Sequence, residues 1–471
     1  MIQHENIRVK AQKPRFTYSR RRAKIPPVML NLMKRFAGGI HPKGEKELCC
    51  DAPIRKIKPP QKAVIPLIQH AGVPCEPLVN VGDEVKLGQP VGDVQKFITA
   101  PVHSSVSGKV VKIADHPHPN GSKVKSVIIE SDSRDEKHFS VKPYPELEQL
   151  SKQDIRRIVR AAGIVGMGGA AFPTHVKLDP PHDKEIEYYI INGAECEPYL
   201  TTDNRTMIER ANDVVYGLKA MMKPSDAGEA IIAIEENKPR AIEMMRKAAE
   251  GEKNIKVASL KTIYPQGGEK QLIKSLLGRE VPSGGLPMDV RVIVNNVGTA
   301  VAVADAIKTG MPLVERVVTV TGKSVKRPSN LLVRIGTPIS QLIEECGGLP
   351  EDARKVILGG PMTGLAQWSL DVPVIKGTSG ILILTGGEVD EAEAEACIRC
   401  AKCVDHCPSG LLPNFLGDYS EAERYDECER LSALDCIECG ICSYVCPTRR
   451  NLTQLIKLAK AEITKKRKKN G

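Results

Sequence analysis

Aromatic residues make up only 4% of the 471-residue chain, with a single tryptophan, Trp368. Stacking platforms for single-stranded nucleic acid are therefore missing, and no nucleic-acid partner is expected. No run of about 18 apolar residues occurs, so nothing in the sequence spans a bilayer by itself. An N-terminal secretory signal is also missing, which argues against an oxidising compartment and against structural disulfides. Acidic residues are in the minority: 57 Asp and Glu stand against 68 Lys and Arg, a formal charge of +11. Much of the excess lies in two runs, Arg20, Arg21, Arg22 and Lys24 near the start and Lys465, Lys466, Arg467, Lys468 and Lys469 near the end. Such runs read as solvated tails, or as contacts to anionic lipid or an acidic partner. With 41% hydrophobic residues, a chain of this length builds three or four domains.

Of the fourteen cysteines, eight fall into one pattern. Cys397, Cys400, Cys403 and Cys407 precede Pro408, and Cys436, Cys439, Cys442 and Cys446 precede Pro447. The spacing C-x2-C-x2-C-x3-C-P, written twice, resembles that of two-cluster bacterial ferredoxins, in which three close thiolates hold one [4Fe-4S] cluster and the fourth reaches across to the other. The expected sets are Cys397, Cys400, Cys403 with Cys446, and Cys436, Cys439, Cys442 with Cys407. A zinc knuckle has no place for a third Cys at the same short interval. Cys428 fits neither motif and is read as a free thiol.

Upstream, residues 1–50 are basic, contain proline, and carry no sustained period, which suggests an extended arm lying on other parts. From 51 to 135, Val79–Gly92 and Ala100–Ile113 alternate apolar and polar residues between turn signals. This stretch resembles the flattened barrel of biotinyl and lipoyl carrier domains; Lys96 lacks the flanking carrier motif, so docking or scaffolding is the better reading. A helix is expected over Ser151–Ala162, capped by Ser151 with Asp154 three residues on, and buried through Ile155, Ile158 and Val159. It runs into GIVGMGGAAFPTHVK, where Gly166, Gly168 and Gly169 would bring backbone amides close to a phosphate or a flat ring. That loop alone could equally be a tight turn. Three apolar strands then end in polar groups: one in Asn192, Glu195 and Glu197, one followed by a loop with Tyr264, Gly267, Gly268 and Glu269, and one in Asn295 and Asn296, with Thr299 opening a helix. Strand ends of open α/β sheets are where ligands bind. Carboxamides suit a flavin or nicotinamide edge, and carboxylates suit ribose hydroxyls.

These segments resemble the NADH- and FMN-binding flavoprotein subunit of respiratory complex I, with its GRGGAGFPTGLKW loop and N-A-D-E-S-E-P and I-N-N-V-E-T strand ends. The resemblance implies FMN among Gly166, Gly168, Gly169, Lys177, Asn192, Glu195, Glu197, Gly267, Glu269, Asn295, Asn296 and Thr299, with NADH stacked over it. Met167, Leu178, Ala194 and Gly268 depart from that pattern. Short strands around one helix from 313 to 387 look like a soluble-ligand-binding β-grasp (SLBB) domain, and Glu388–Ala396 is expected as an acidic helix leading into Cys397.

The order of parts resembles the C subunits of the Rnf ion-translocating electron-transport complex, from about Gly38 to Thr448. Cobalamin reductases of bacterial microcompartments share much of it, and an iron-sulfur relay or scaffold with a decayed flavin pocket is the non-enzymatic alternative. The implied architecture is multidomain α/β and α+β: a basic arm (1–50), a carrier-like barrel-sandwich (51–135), a Rossmann-like FMN/NADH domain (140–312), an SLBB β-grasp domain (313–387), a two-cluster ferredoxin-like domain (388–455) and a basic tail (456–471). The resemblance further implies a ferredoxin:NAD oxidoreductase subunit with two [4Fe-4S] clusters and FMN as cofactors and NAD(H) as substrate. Implied partners are an iron-sulfur subunit that exchanges electrons with ferredoxin and integral membrane subunits, and the implied location is the cytoplasmic face of the bacterial membrane. Hydride transfer to a flavin needs no acid or base, so no catalytic residue is named.

Overall fold

The computed structural model describes residues 36–470; the basic run Arg20–Lys24 lies outside them. Strands Lys62–Pro66, Lys123–Ser131, Gly108–Pro117 and Glu84–Val85 form one antiparallel sheet, and Glu76–Pro77, Pro90–Asp93 and Val102–His103 a second. Their alternating side chains meet in a core of Ala63, Ile65, Val91, Val102, Val110, Val127 and Ile129, each with no exposed surface. Gly108 enters the sheet at φ +153° with the Glu130 carbonyl where a Cβ would stand, so only glycine fits.

The next unit is a four-stranded parallel sheet in the order Ile255–Leu260, Glu229–Glu235, Tyr188–Gly193, Val292–Asn296. Helices cover both faces, which is why the strands read as unbroken runs such as YYII and AIIAI rather than as alternation. The helix Lys152–Ala161 carries the expected capping box between Ser151 and Asp154 and buries Ile155, Ile158 and Val159. Helices Ala211–Ser225 and Val297–Thr309 come so close that a Cβ on Gly217 would meet the Ala300 backbone.

A mixed six-stranded sheet follows, with Glu315–Thr321, Ser329–Arg334, Ala353–Leu358 and Gly380–Thr385 around the helix Ile339–Glu345. Its edge strand is Ile54–Lys56, paired in parallel with Ser329–Arg334, although the sequence reading places 51–135 wholly in the barrel. The Asn330 carboxamide donates to the carbonyls of Cys49 (2.9 Å) and Ala52 (3.2 Å), which fastens this segment to the β-grasp sheet. Such a tertiary pull leaves no trace in three residues of pattern.

Two further expectations fail on local physics. Residues 389–396 form no helix. Four like charges crowd this stretch, the Asp390 carboxylate turns back to the Ala392 amide (3.1 Å), and Arg449 reaches Asp390 (2.8 Å) from outside. Conversely, 456–470 is no free tail: it continues the helix Leu452–Asn470, whose Leu452, Ile456, Ala459 and Ile463 are buried against Pro413–Glu421 and Tyr425–Arg430. The basic run hides that apolar stripe, spaced by four, three and four residues.

Candidate cofactor sites

The eight motif cysteines line two cavities. One is bordered by Cys436, Cys439, Cys442 and Cys407. The other is bordered by Cys397, Cys400, Cys403 and Cys446. Four thiols around each cavity, drawn from C-x2-C-x2-C-x3-C-P motifs, fit a cubane cluster, and the third Cys at the same short interval has no place in a tetrahedral zinc site.

The two halves repeat each other in backbone as well as in sequence. Arg399 and Glu438, two residues after the first Cys of each motif, stand at φ +55° and +56°, and Ala401 and Gly440 at +60° and +80°. These left-handed turns aim the Arg399 and Glu438 amides at the sulfurs of Cys397 and Cys436, both at 3.4 Å. The Leu411 amide does the same for Cys407 (3.4 Å). Amides bonded to sulfur are one of the levers on a cluster's potential. Each cavity also has a cation beside it. Arg450, buried and ion-paired to Asp418 (2.6 Å) and Glu421 (2.7 Å), borders the Cys397 cavity. Lys460 donates to the Cys436 carbonyl (2.7 Å) and Glu438 (2.6 Å) at the other. Burial pushes the Cys439 and Cys442 thiols up to about 12 and 11, so a metal must displace their protons to bind.

The glycine loop lies at the C-terminal ends of the parallel strands. Thr299, fully buried in the first turn of its helix, accepts the Met167 amide (3.0 Å) and faces the Val165 carbonyl (3.4 Å), which fixes the loop from below. A Cβ on Gly168 would stand 2.8 Å from the Asn296 amide nitrogen, while Gly169 has nothing within 4 Å. The loop thus has a floor and an open side, a cradle a flat cofactor could enter. Asn296 caps the helix Val297–Thr309 by accepting the Gly298 amide (2.8 Å) and donates to Asp203 (2.7 Å). Lys177 is held at the rim by Glu269 (3.0 Å) and the Val294 carbonyl (2.9 Å), and Asn192 by the Gly267 carbonyl (2.8 Å). Glu195 accepts the amides of Asp203 (2.7 Å) and Asn204 (3.2 Å) at the start of the helix Thr202–Glu209, a negative charge at the positive end of a helix.

Two expected ligands face elsewhere. Asn295 lies on the opposite face of its strand from Asn296, buried against Tyr189 and Met221; strand alternation requires neighbouring side chains to part. The Glu197 carboxylate is taken by the amides of Met362 (2.7 Å) and Thr363 (2.9 Å), in the β-grasp loop 359–364. Gly166 borders Phe172, whose carbonyl accepts its amide (2.8 Å), inside the loop. Of the departures from the complex I pattern, Leu178 and Met167 are buried in the core, so neither presents a side chain to the open side.

Sequence reasoning missed Asp203 and the junction with the clusters. Burial and the nearby Glu195 push the Asp203 carboxyl up to about 7, against the pull of the Asn296 amide. The only signal was its place eight residues after Glu195. The junction is made by Tyr264, whose hydroxyl donates to the Cys439 carbonyl (2.7 Å), and by Met362, against whose carbonyl a Cβ on Gly440 would press. The segment 36–50 threads the same place: Gly39 donates to His406 (3.1 Å), Ile40 pairs with Tyr264, and Lys46 holds the carbonyls of Glu197 (2.9 Å) and Leu200 (2.6 Å).

Comparison with known families divides the chain the same way in order. Residues 34–134 match the RnfC barrel sandwich hybrid domain, 159–305 the Nuo51 FMN-binding domain, 317–366 the SLBB domain and 396–450 the 4Fe-4S dicluster domain. The C subunit of a proton-translocating ferredoxin:NAD(+) oxidoreductase complex from Clostridium ljungdahlii is 48% identical over 432 residues, 92% of this chain and 94% of that protein. Its counterpart in the Na(+)-translocating complex of Acetobacterium woodii is 48% identical over 436 residues, 93% of this chain and 98% of that one. The C subunit of an ion-translocating oxidoreductase complex from Rhodobacter capsulatus is 42% identical over 380 residues, 80% and 73% of the two chains.

Proposed function

The chain belongs to the family of C subunits of ion-translocating ferredoxin:NAD(+) oxidoreductase complexes, and from that membership we propose that it passes electrons between NAD(H) and partner subunits through FMN and two [4Fe-4S] clusters. A flavin accepts an electron pair as hydride and releases it singly, and cubane clusters carry single electrons. The chain's own residues supply position. The glycine loop, floored by Asn296 and Thr299, offers backbone amides and an open side, and the N-terminus of the helix Val297–Thr309 adds a positive end suited to a phosphate. Lys177, tethered by Glu269, places a cation at the rim.

The observation that carries the reading is the asymmetry of the two thiol cavities. The Cys407, Cys436, Cys439, Cys442 set touches the nucleotide domain through Tyr264 and the β-grasp loop through Met362. The other set has an exposed Cys400 beside an exposed Ile398. The Cys407, Cys436, Cys439 and Cys442 thiols would thus hold the cluster nearer the flavin, and the Cys397, Cys400, Cys403 and Cys446 thiols the one that would serve a partner iron-sulfur subunit exchanging electrons with ferredoxin, while membrane subunits couple the flow to ion movement. No described helix is long and apolar enough to cross a membrane; the chain is held peripherally, at the cytoplasmic face, by those partners.

Full chain reconstituted with iron, sulfide and FMN is expected to reduce an artificial acceptor with NADH. Cys397→Ser and Cys436→Ser each remove about four irons per chain and leave flavin uptake intact; only Cys436→Ser stops electrons from reaching the remaining cluster in single-turnover spectra. Cluster uptake without flavin would sink the proposal in favour of a bare relay.

A further inference from the structure

Asp203 is a carboxylate with no role in hydride transfer, yet it is built into the floor of the pocket. Its Oδ2 accepts the Asn296 amide at 2.7 Å, and that same amide nitrogen lies where Gly168 leaves room for no Cβ. Asn296 is fixed at its other end by the Gly298 amide, so the Asp203–Asn296–Gly168 stack is rigid. From the strand end comes Glu195, which accepts the Asp203 backbone amide at 2.7 Å. From the β-grasp sheet comes the buried guanidinium of Arg316, and from the start of the helix Pro239–Ala248 comes Lys238, itself paired to Glu235. The charges of one carboxylate and two cations, from three elements, thus act on Asp203. Asp203 is not fully enclosed, retaining a small exposed surface in an otherwise buried floor.

We propose that Asp203 is a redox-linked proton acceptor of the flavin pocket, taking up one solvent proton when the flavin is reduced and releasing it when the flavin is reoxidised. The inference rests on the flavin reading above. Hydride brings two electrons and one proton, so it adds one negative charge to the pocket. A charge appearing beside a carboxylate favours the neutral acid. The step balances: NADH, FMN, ionised Asp203 and one solvent proton give NAD+, FMN carrying the hydride and its charge, and a neutral Asp203 carboxyl. When both electrons leave singly to the clusters, two protons depart, one brought by the hydride and one from Asp203. Asp203 keeps the charge of the pocket level without touching the hydride, so it is a positioning residue rather than a catalytic one. Its resting value near neutrality follows from burial and Glu195, which sets the window: uptake is largest at and just above neutral pH, and fades in acid, where the carboxyl is protonated in both redox states.

The test uses full chain loaded with clusters and FMN. Proton uptake per flavin reduced is read with a pH dye in weak buffer. Wild type is expected to exceed Asp203→Asn by up to one proton per flavin, on the order of one charge balanced, just above neutrality and by little in acid. Equal uptake in the two proteins at every pH overturns the inference while leaving flavin binding, and the functional reading, intact. Absence of flavin uptake in wild type overturns the reading itself. Independently of any variant, infrared difference spectra of wild type are expected to gain a protonated-carboxyl band on flavin reduction, and carboxyl-13C aspartate should shift it. A missing band, or one unmoved by the label and so belonging to a glutamate such as Glu195, refutes the assignment.

Discussion

Gly168 is the residue on which the pocket can be tested most narrowly. A methyl there would stand 2.8 Å from the Asn296 amide, inside contact distance of a group pinned at both ends. Overpacking of this kind costs about 1–3 kcal/mol, so Gly168→Ala should weaken FMN binding on the order of tenfold or more, measured by flavin fluorescence, with iron content unchanged. Gly169→Ala, with nothing within 4 Å, should leave the unloaded fold as stable as wild type, while its methyl, standing on the open side of the cradle, weakens FMN binding. At this scale the sequence was eloquent about cysteine and less so about the strand ends. Eight thiols at fixed intervals admit few other uses. Asn295 and Asn296 read alike on paper, and only the pleat parts them, one to Tyr189 in the core and one to the loop.

The helix Leu452–Asn470 shows what an element can conceal. Its composition suggests solvent, while Leu452, Ile456, Ala459 and Ile463 form a buried stripe against the cluster helices. Ile456→Ala is expected to cost about 2–4 kcal/mol, seen as an earlier denaturant midpoint for loss of cluster absorbance. Changing Lys468 and Lys469 to Gln should move that midpoint by no more than about 0.5 kcal/mol. Elements with a strong local cause, such as the capped helix Lys152–Ala161, stand within a residue or two of expectation. Those held by partners far along the chain do not. Ile54–Lys56 joins a sheet whose other strands begin after residue 314, and 389–396 is shaped by Arg449.

Across the whole molecule, two histidines of the barrel and one on the short helix after the glycine loop destabilise the fold in acid, against the opposite contribution of Asp203, whose raised carboxyl gains stability as pH falls below about 7. Burial lowers His103 to about 3 and His70 and His175 to about 4. A folded value below the unfolded one means that the folded chain binds fewer protons, so stability is intact above about 6.5 and is lost as pH falls from there towards 4. Each pH unit in that window costs up to about 1.4 kcal/mol per group, most fully at His103. Denaturant midpoints at pH 7 and pH 5 should therefore differ clearly in wild type, and His103→Asn should narrow the gap. An unchanged gap would place the acid sensitivity elsewhere.

The β-grasp loop 359–364 touches Glu197 on one side and Gly440 on the other. In the electron path proposed above, this one short stretch of backbone lies between the strand end that carries Glu197 and the Cys436 cavity. The spacing between the two sites would then be set as the chain folds.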